Sequence, residues 1–461
     1  MNLNFSYLAI LGGLILTNLI SPLTQAFPMW EKFSDTVDVI LVEKHDRPLV
    51  SWMIALPFGT YMDPKGKEGL TYFLGQMLLR GTKNHTRSQI EELLDQMGTS
   101  IHISTGSHSF IAQGELLAKN LDPFLSLLSE VLTTPTFEPE EIEKQRQEIL
   151  GQIQLSLESD ASLAKRQFLK SVYPNHPYGN SSIGTRKSVN TISQDDLVDY
   201  FKRYVHKGKV WVGAAGSINK TLFQEKSRKL LETLPDGKAE ILVNKPSNKL
   251  SGLNIFLVDK PDRSQTHFLI GQPSLPHGHA DVYALEVFLT AFAGPMFQAQ
   301  YMNEIRVVRG WSYSAYGTLE SRRDSGAWYL YTFPKVADTV PAIQLSLELL
   351  EKAAHGNGLT DEAILFAKNY LIRSFPFDVD VPEKVLREKM YNRLLQKPDD
   401  ELETYQANIS KLTIEDIRTA GKKYIDSQNL NIVILGTQTD FKDVQKELGA
   451  KSVQVIPYDQ E

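Results

Sequence analysis

The sequence predicts an α+β fold built twice: two homologous domains, each a mostly antiparallel sheet with helices packed on one face. Three observations carry this reading. The second half of the chain echoes the first, strand-like runs come in adjacent pairs, and the intervening segments carry apolar residues at helical spacing.

The echo recurs at an offset between 216 and 222 residues. Leu41-Val42-Glu43-Lys44-His45-Asp46-Arg47 is answered by Leu257-Val258-Asp259-Lys260-Pro261-Asp262-Arg263, and Phe137 to Ile142 by Leu359 to Ile364. Ile192-Ser193-Gln194-Asp195-Asp196-Leu197 is answered by Leu412-Thr413-Ile414-Glu415-Asp416-Ile417, and Lys202-Arg203-Tyr204-Val205 by Lys422-Lys423-Tyr424-Ile425. Each half then ends in an apolar strand running into a glycine, Gly216 and Gly436. This period is far longer than that of a solenoid repeat. Pro235-Asp236-Gly237-Lys238 closes the first half, and Asn244 to Lys249 is polar and proline-containing, as linkers tend to be. The expected domains are therefore residues 27–236 and 253–461, joined by a linker over 237–252.

Within the first half, Val37 to Val42 and Val50 to Leu56 read as strands, as do Ser100 to Ser104 and His108 to Gly114. Glu140 to Leu157 reads as a helix with an acidic start and with Ile142, Ile149 and Ile153 on one face. Gly69 to Thr82 contains a second helix. Its residues Leu70, Phe73, Leu74, Met77 and Leu78 form one buried stripe, with Tyr72, Gly75 and Gln76 off it and near one another.

Composition bounds the function. The chain has 461 residues, a net charge of −6 and no cysteine. Thiolate metal sites, disulfides and cysteine nucleophiles are excluded, and the mild acidity gives no reason to expect nucleic-acid binding. Leu8 to Ile20 is an apolar run followed by Pro22 and the small-residue stretch Thr24-Gln25-Ala26. It is too short to span a bilayer comfortably, so residues 1–26 are expected to be a secretory signal peptide. They carry no Lys or Arg, which leaves an uncleaved anchor as the alternative. The expected location is exported: periplasmic in a Gram-negative cell, or secreted. There is no G-x-S-x-G elbow, P-loop or dinucleotide fingerprint. His277-Gly278-His279 could chelate a metal adventitiously, and His176 is expected to shape a loop.

The Gly69–Thr82 segment resembles the signature helix of the pitrilysin/insulinase (inverzincin) peptidases, the family of the heterodimeric processing peptidases. Their pattern is H-x-x-E-H, followed by apolar residues, a basic residue and Gly-Thr. In this register Tyr72 takes the first His position, Gly75 the Glu position and Gln76 the second His position. A third ligand, a Glu, is implied on a downstream charged helix. Gln152 falls there, with Gln145 at a supporting acidic position and Glu148 close enough that a register slip is conceivable. The chemistry agrees with the resemblance. Zinc sites use imidazole, thiolate or carboxylate donors, whereas an amide is neutral and a phenol is protonated near neutral pH. Glycine offers no general base, and inside a helix it costs roughly 1 kcal/mol relative to alanine.

Ile305 to Gly317 resembles the same family's arginine/tyrosine segment, in which a helix-borne Arg precedes a Tyr on the next strand. The matching residues are Arg306 and Tyr313, with Arg309 and Tyr316 as competitors if the register shifts. The resemblance implies that the Arg holds substrate carbonyls and the Tyr helps stabilise an oxyanion, a role suited to fixed charged and hydroxyl donors. Phe292-Ala293-Gly294-Pro295-Met296-Phe297 departs from the glycine- and serine-rich loop usual before that helix.

Together these features imply a non-catalytic, substrate-binding subunit of an exported heterodimeric zinc endopeptidase, forming half of a clam-shell. Zinc is expected in a partner chain bearing H-x-x-E-H, and none in this chain. The alternative is a structural or peptide-binding pseudoenzyme without a role in proteolysis. The core subunits of the respiratory cytochrome bc1 complex, which share the architecture, are similar to that case.

Overall fold

The computed structural model describes residues 27–240, 249–356 and 358–460. Residues 1–26, on which the export reading rests, lie outside the described residues, as does the stretch 241–248 of the expected linker.

In the first half the strands are β1 Glu31–Lys32, β2 Val37–Glu43, β3 Leu49–Leu56, β4 His102–Thr105, β5 Phe110–Leu117 and β6 Val210–Gly216. Its helices are α1 Leu70–Met77, α2 Arg87–Met97, α3 Leu121–Thr133, α4 Pro139–Ser156, α5 Asp160–Val172, α6 Arg186–Thr191, α7 Gln194–Tyr204 and α8 Lys220–Thr233. In the second half the strands are β7 Asn254–Asp259, β8 His267–Ser274, β9 Ala315–Glu320, β10 Gly326–Thr332, β11 Asn431–Gly436 and β12 Ser452–Pro457. Its helices are α9 Val282–Ala293, α10 Gln300–Met302, α11 Val336–Ala354, α12 Asp361–Ser374, α13 Pro382–Leu394, α14 Glu401–Lys411, α15 Ile414–Tyr424 and α16 Val444–Glu447.

The two six-stranded sheets run β1-β2-β6-β3-β5-β4 and β12-β7-β11-β8-β10-β9. Five strands hold equivalent places in both. β2 pairs parallel with β6, and β7 with β11, while the other shared neighbours are antiparallel. The sixth strand breaks the repeat: β1 lies antiparallel to β2, whereas β12 lies parallel to β7.

One echoed motif has a direct physical meaning. Ser193 and Thr413 are N-caps of α7 and α15, and each forms a capping box with an aspartate three residues on. The Ser193 N–H donates to Asp196 at 2.7 Å and the Thr413 N–H to Asp416 at 2.8 Å. The repeat therefore conserves a helix start, which satisfies backbone donors that the first turn would leave unpaired.

Each sheet packs its own half's helices on one face. In the first half, Val50, Trp52, Ile54 and Leu56 of β3 join Leu70, Phe73, Leu74 and Met77 of α1. In the second, Phe268 and Ile270 of β8 join Leu285 and Phe288 of α9. The opposite faces are covered by exchange. Helix α5, from the first half, lays Leu163, Phe168 and Val172 on Leu269, Tyr329 and Val433 of the second sheet. Helix α13, from the second half, lays Leu386, Met390 and Leu394 on Ile40, Met53 and Trp211 of the first. Gly213 of β6 admits α13, because a Cβ there would lie 2.4 Å from the Leu386 Cδ1. Polar clamps reinforce both dockings. The buried Lys260 ammonium donates to Asp160 and to the Leu157 carbonyl, each at 2.7 Å, and Arg393 donates to Asp38 at 2.8 Å. Burial opposes ionisation of Asp38, but the bonds from Arg393 and Lys209 outweigh it and hold its carboxyl below the usual range.

Because the halves share these layers, they are expected to unfold as one unit. Phe168→Ala should cost about 3–5 kcal/mol and Met390→Ala about 2–5 kcal/mol. Each should lower the hydrogen-exchange protection of β6 and β11 together. Loss of protection in one sheet alone would contradict the shared layers.

Candidate functional site

Helix α1 begins at a built cap. Asp63 accepts from the Gly69 and Thr71 N–H groups at 2.8 and 2.9 Å and from the Thr71 hydroxyl at 2.5 Å. Burial pushes its carboxyl up to about 6 against the pull of those bonds. At the other end, the Arg80 guanidinium is buried and ties α1 to α4. It donates to Gln145 at 2.5 Å, to Glu141 at 3.2 Å and to Glu148. This clamp settles the register between the helices. Glu148 is held by Arg80, with Arg87 3.8 Å away, and it is Gln152 that meets α1.

At that meeting point the Tyr72 hydroxyl donates to the Gln152 Oε1 at 2.9 Å. The structure thus joins two of the four positions by a direct bond and sets Gly75 and Gln76 on the same short helix. Gly75 is buried against the edge of the first sheet. A Cβ there would lie 3.1 Å from Thr105 Cγ2, 3.2 Å from Ile103 Cγ2 and 3.6 Å from Phe110 Cε2. The neighbouring side chains occupy the space from which a catalytic carboxylate would project. A phenol bonded to an amide, a second amide and a glycine do not fit zinc, which requires imidazole, thiolate or carboxylate donors. Among the described residues, no three His, Cys, Asp or Glu side chains gather where they could hold a metal ion.

The second-half segment is built differently from the expectation. Arg306 lies on a π-helical turn, Asn303–Val308, that continues α10. Such turns recur at functional sites. Tyr313 is not on the strand; it sits in a bend two residues before β9. The bend is pinned from beneath. The Trp311 N–H donates to the Ile305 carbonyl at 3.0 Å, and the buried Ser312 hydroxyl donates to the Ser314 carbonyl at 3.0 Å and accepts from the Phe333 N–H at 3.3 Å. With Ser312 turned inward, Tyr313 is left 78% exposed.

The competing residues are engaged within the chain. Arg309 pairs with Glu304 and lies over the Trp311 ring, and Tyr316 packs on Tyr331 with ring centres 5.2 Å apart. Arg306 has no carboxylate partner among the described residues, and its guanidinium lies 4.7 Å from the centre of the Phe297 ring. The departure from the glycine-rich loop therefore supplies the ring that holds the arginine. No hydrogen bond or ion pair among the described residues links Arg306 or Tyr313 to Tyr72, Gln76 or Gln152.

The histidine candidates are structural. The His277 backbone N–H donates to the Arg322 carbonyl at 3.0 Å, and burial pushes its imidazole down to about 3. His279 Nδ1 accepts from the Asp281 N–H at 3.0 Å, and His176 Nδ1 accepts from the Tyr178 N–H at 3.1 Å. Sequence reasoning missed a cleft of about 490 Å³ beside Thr105, whose wall includes Lys165, Arg166 and Arg322. Lys165 and Arg166 sit in an ordinary amphipathic helix, and only the exchange of α5 between halves brings them to Arg322.

Comparison with known proteins agrees with this architecture. Residues 38–186 match the family model for insulinase (peptidase family M16), and residues 191–371 match that for the peptidase M16 inactive domain. A non-peptidase homolog, YmxG, of Helicobacter pylori is 25% identical over 406 residues, covering 87% of this chain and 92% of that protein. An uncharacterized zinc protease of Rickettsia felis is 25% identical over 59% of this chain, and the match spans 65% of that relative's length. The crystal structure of a peptidase M16 inactive domain from Pseudomonas fluorescens superposes with a TM-score of 0.83 at 19% identity, over 89% of this chain and 98% of that one. A protease from Helicobacter pylori superposes at 0.80 with 18% identity, over 89% and 100%. The chain belongs to peptidase family M16.

The site geometry sets a test of the lost chemistry. The triple variant Tyr72→His, Gln76→His, Gln152→Glu restores three donors and should retain about one zinc per chain after dialysis, without cleaving peptides. Adding Gly75→Glu should cost about 1–3 kcal/mol through overpacking against Thr105 and Ile103. Failure of the triple variant to retain zinc, measured by metal analysis, would show that these positions do not converge.

Proposed function

We propose that this member of peptidase family M16 is a non-catalytic subunit of an exported heterodimeric zinc endopeptidase. In this reading a partner chain bearing H-x-x-E-H holds the zinc and activates water. This chain presents Arg306 and Tyr313 to the substrate across a shared chamber and helps hold an extended peptide along a sheet edge.

One contrast carries the reading. The hydrolytic positions are closed on one another through Tyr72 and Gln152, while Arg306 and Tyr313 are left without carboxylate or hydrogen-bond partners in the described chain. A guanidinium and a phenol directed outward are donors suited to a carbonyl oxygen that gains charge during peptide hydrolysis. The names of relatives point the same way, since one is a non-peptidase homolog and one matching model is that of an inactive domain. The zinc is assigned to the partner because the residues here do not fit it. The export reading rests on the apolar run Leu8 to Ile20, outside the described residues. Among the described residues no helix is long and apolar enough to cross a membrane.

The test mixes this chain with an exported H-x-x-E-H protein of similar length encoded beside it. Arg306→Ala should lower kcat/KM of the mixture by about 10²–10³-fold, and Tyr313→Phe by about tenfold or more. Co-elution of the two chains on size exclusion should be unchanged by either substitution. Unaltered kinetics in both variants would reduce this chain to a structural or peptide-binding role.

A further inference from the structure

The cleft beside the first sheet has a composition that the fold does not require. None of the described residues lining it is acidic, although the chain as a whole carries a net charge of −6. Lys165 and Arg166 enter from α5, and Arg322 from the segment between β9 and β10, so both halves contribute cations. Ser107, Ser156 and Ser162 add hydroxyl groups. Behind the wall stands the Glu320 carboxylate, shared between Lys165 at 2.5 Å and Arg322 at 3.6 Å. Two cations on one carboxylate leave an excess of positive charge.

Both cations lie against aromatic rings. The Arg322 guanidinium lies 4.9 Å from the Tyr178 ring centre and 5.7 Å from that of Tyr173, and it donates to the Tyr178 carbonyl at 3.5 Å. The Lys165 ammonium lies 5.5 Å from the Tyr329 ring centre. Cations gathered in a cleft attract carboxylates more strongly than the same groups spread over an open surface. The volume of about 490 Å³ lies within the range of small-ligand pockets and accommodates a few side chains.

The cleft continues from the degenerate zinc position. Thr105 contributes to its wall and also lies against Gly75. Ser156 sits one turn beyond Gln152 on α4, on the same face. Thr105 is also the last residue of β4, the outermost strand of the first sheet. An extended peptide added to that open edge would run past Thr105 into the cleft, with every second side chain turned to one side.

We infer that this cleft is a subsite for acidic side chains of a peptide bound along β4. The inference deepens the peptide-holding reading above and rests on it. It assigns this chain a preference for peptides bearing glutamate or aspartate on the side that enters the cleft.

The experiment is fluorescence anisotropy of the full chain with three labelled, carboxy-amidated eight-residue peptides, alternating alanine with glutamate, glutamine or lysine. The glutamate peptide should bind about tenfold more tightly than its glutamine counterpart, and the lysine peptide most weakly. That preference should shrink as salt is raised. Lys165→Gln should reduce the preference several-fold while leaving glutamine-peptide affinity unchanged, and Lys165→Arg should retain it. Matched thermal melts establish that the variants are folded. Equal affinity for the glutamate and glutamine peptides overturns the inference, as does a preference unaltered by Lys165→Gln. A preference that appears only with a free carboxyl terminus overturns it too, and reassigns the cleft to the peptide end. If no peptide binds, the peptide-holding reading falls and takes the subsite with it. If the glutamine peptide binds with no gain from charge, only the acidic subsite falls.

Discussion

The constraint on which the rest of this structure depends is that each sheet has two apolar faces and only one is covered by its own half. The uncovered face of the first sheet is met by α13, and that of the second by α5. Burying one such side chain contributes about 1.5–3 kcal/mol, so neither half is complete without the other's helix. The ion pairs Asp160–Lys260 and Asp38–Arg393 fix the direction of each docking. The same exchange carries Lys165 and Arg166 across to Arg322 and so creates the cleft. What looks like a local feature of one helix is a consequence of how the two halves close over one another.

The candidate site follows a second logic, in which a single clamp preserves geometry after chemistry has gone. Arg80 holds Gln145, Glu141 and Glu148 of α4, so α1 and α4 keep a fixed register. Within that register Tyr72 and Gln152 satisfy each other as neutral partners, and Thr105 and Ile103 crowd Gly75. The bond joins the two helices at their exposed side without metal. In the second half the packing works in the opposite sense. Ser312 and Trp311 spend their hydrogen bonds on shaping a bend, and Tyr313 emerges from it exposed.

Much of this was legible in the sequence, because the signals are local. The apolar stripe of α1 and the echoed Ser193 and Thr413 segments arise from residues a few positions apart, whereas the place of Gln152 came from the family resemblance. The four strands bounded from sequence in the first half end within two or three residues of β2 to β5. Other features depend on partners distant in sequence. The run Trp52-Met53-Ile54-Ala55-Leu56 is continuously apolar, the pattern of a strand buried on both faces, yet nothing local says that α13 covers the second face. The π-helical turn under Arg306 and the bend at Tyr313 reflect packing of Ile305 and Ser312, and the spacing of Arg306 and Tyr313 alone does not reveal them. The sixth strands, β1 and β12, lie outside the repeat and have no counterpart to predict them from.

The account turns on shared labour between two chains, and the most direct measurement is a titration. A fixed amount of the H-x-x-E-H chain is assayed on a peptide mixture while this chain is added in increasing amounts. The account predicts that zinc-dependent cleavage rises from near the background and levels off at one of this chain per zinc chain. A flat curve, with the zinc chain equally active throughout, would contradict it.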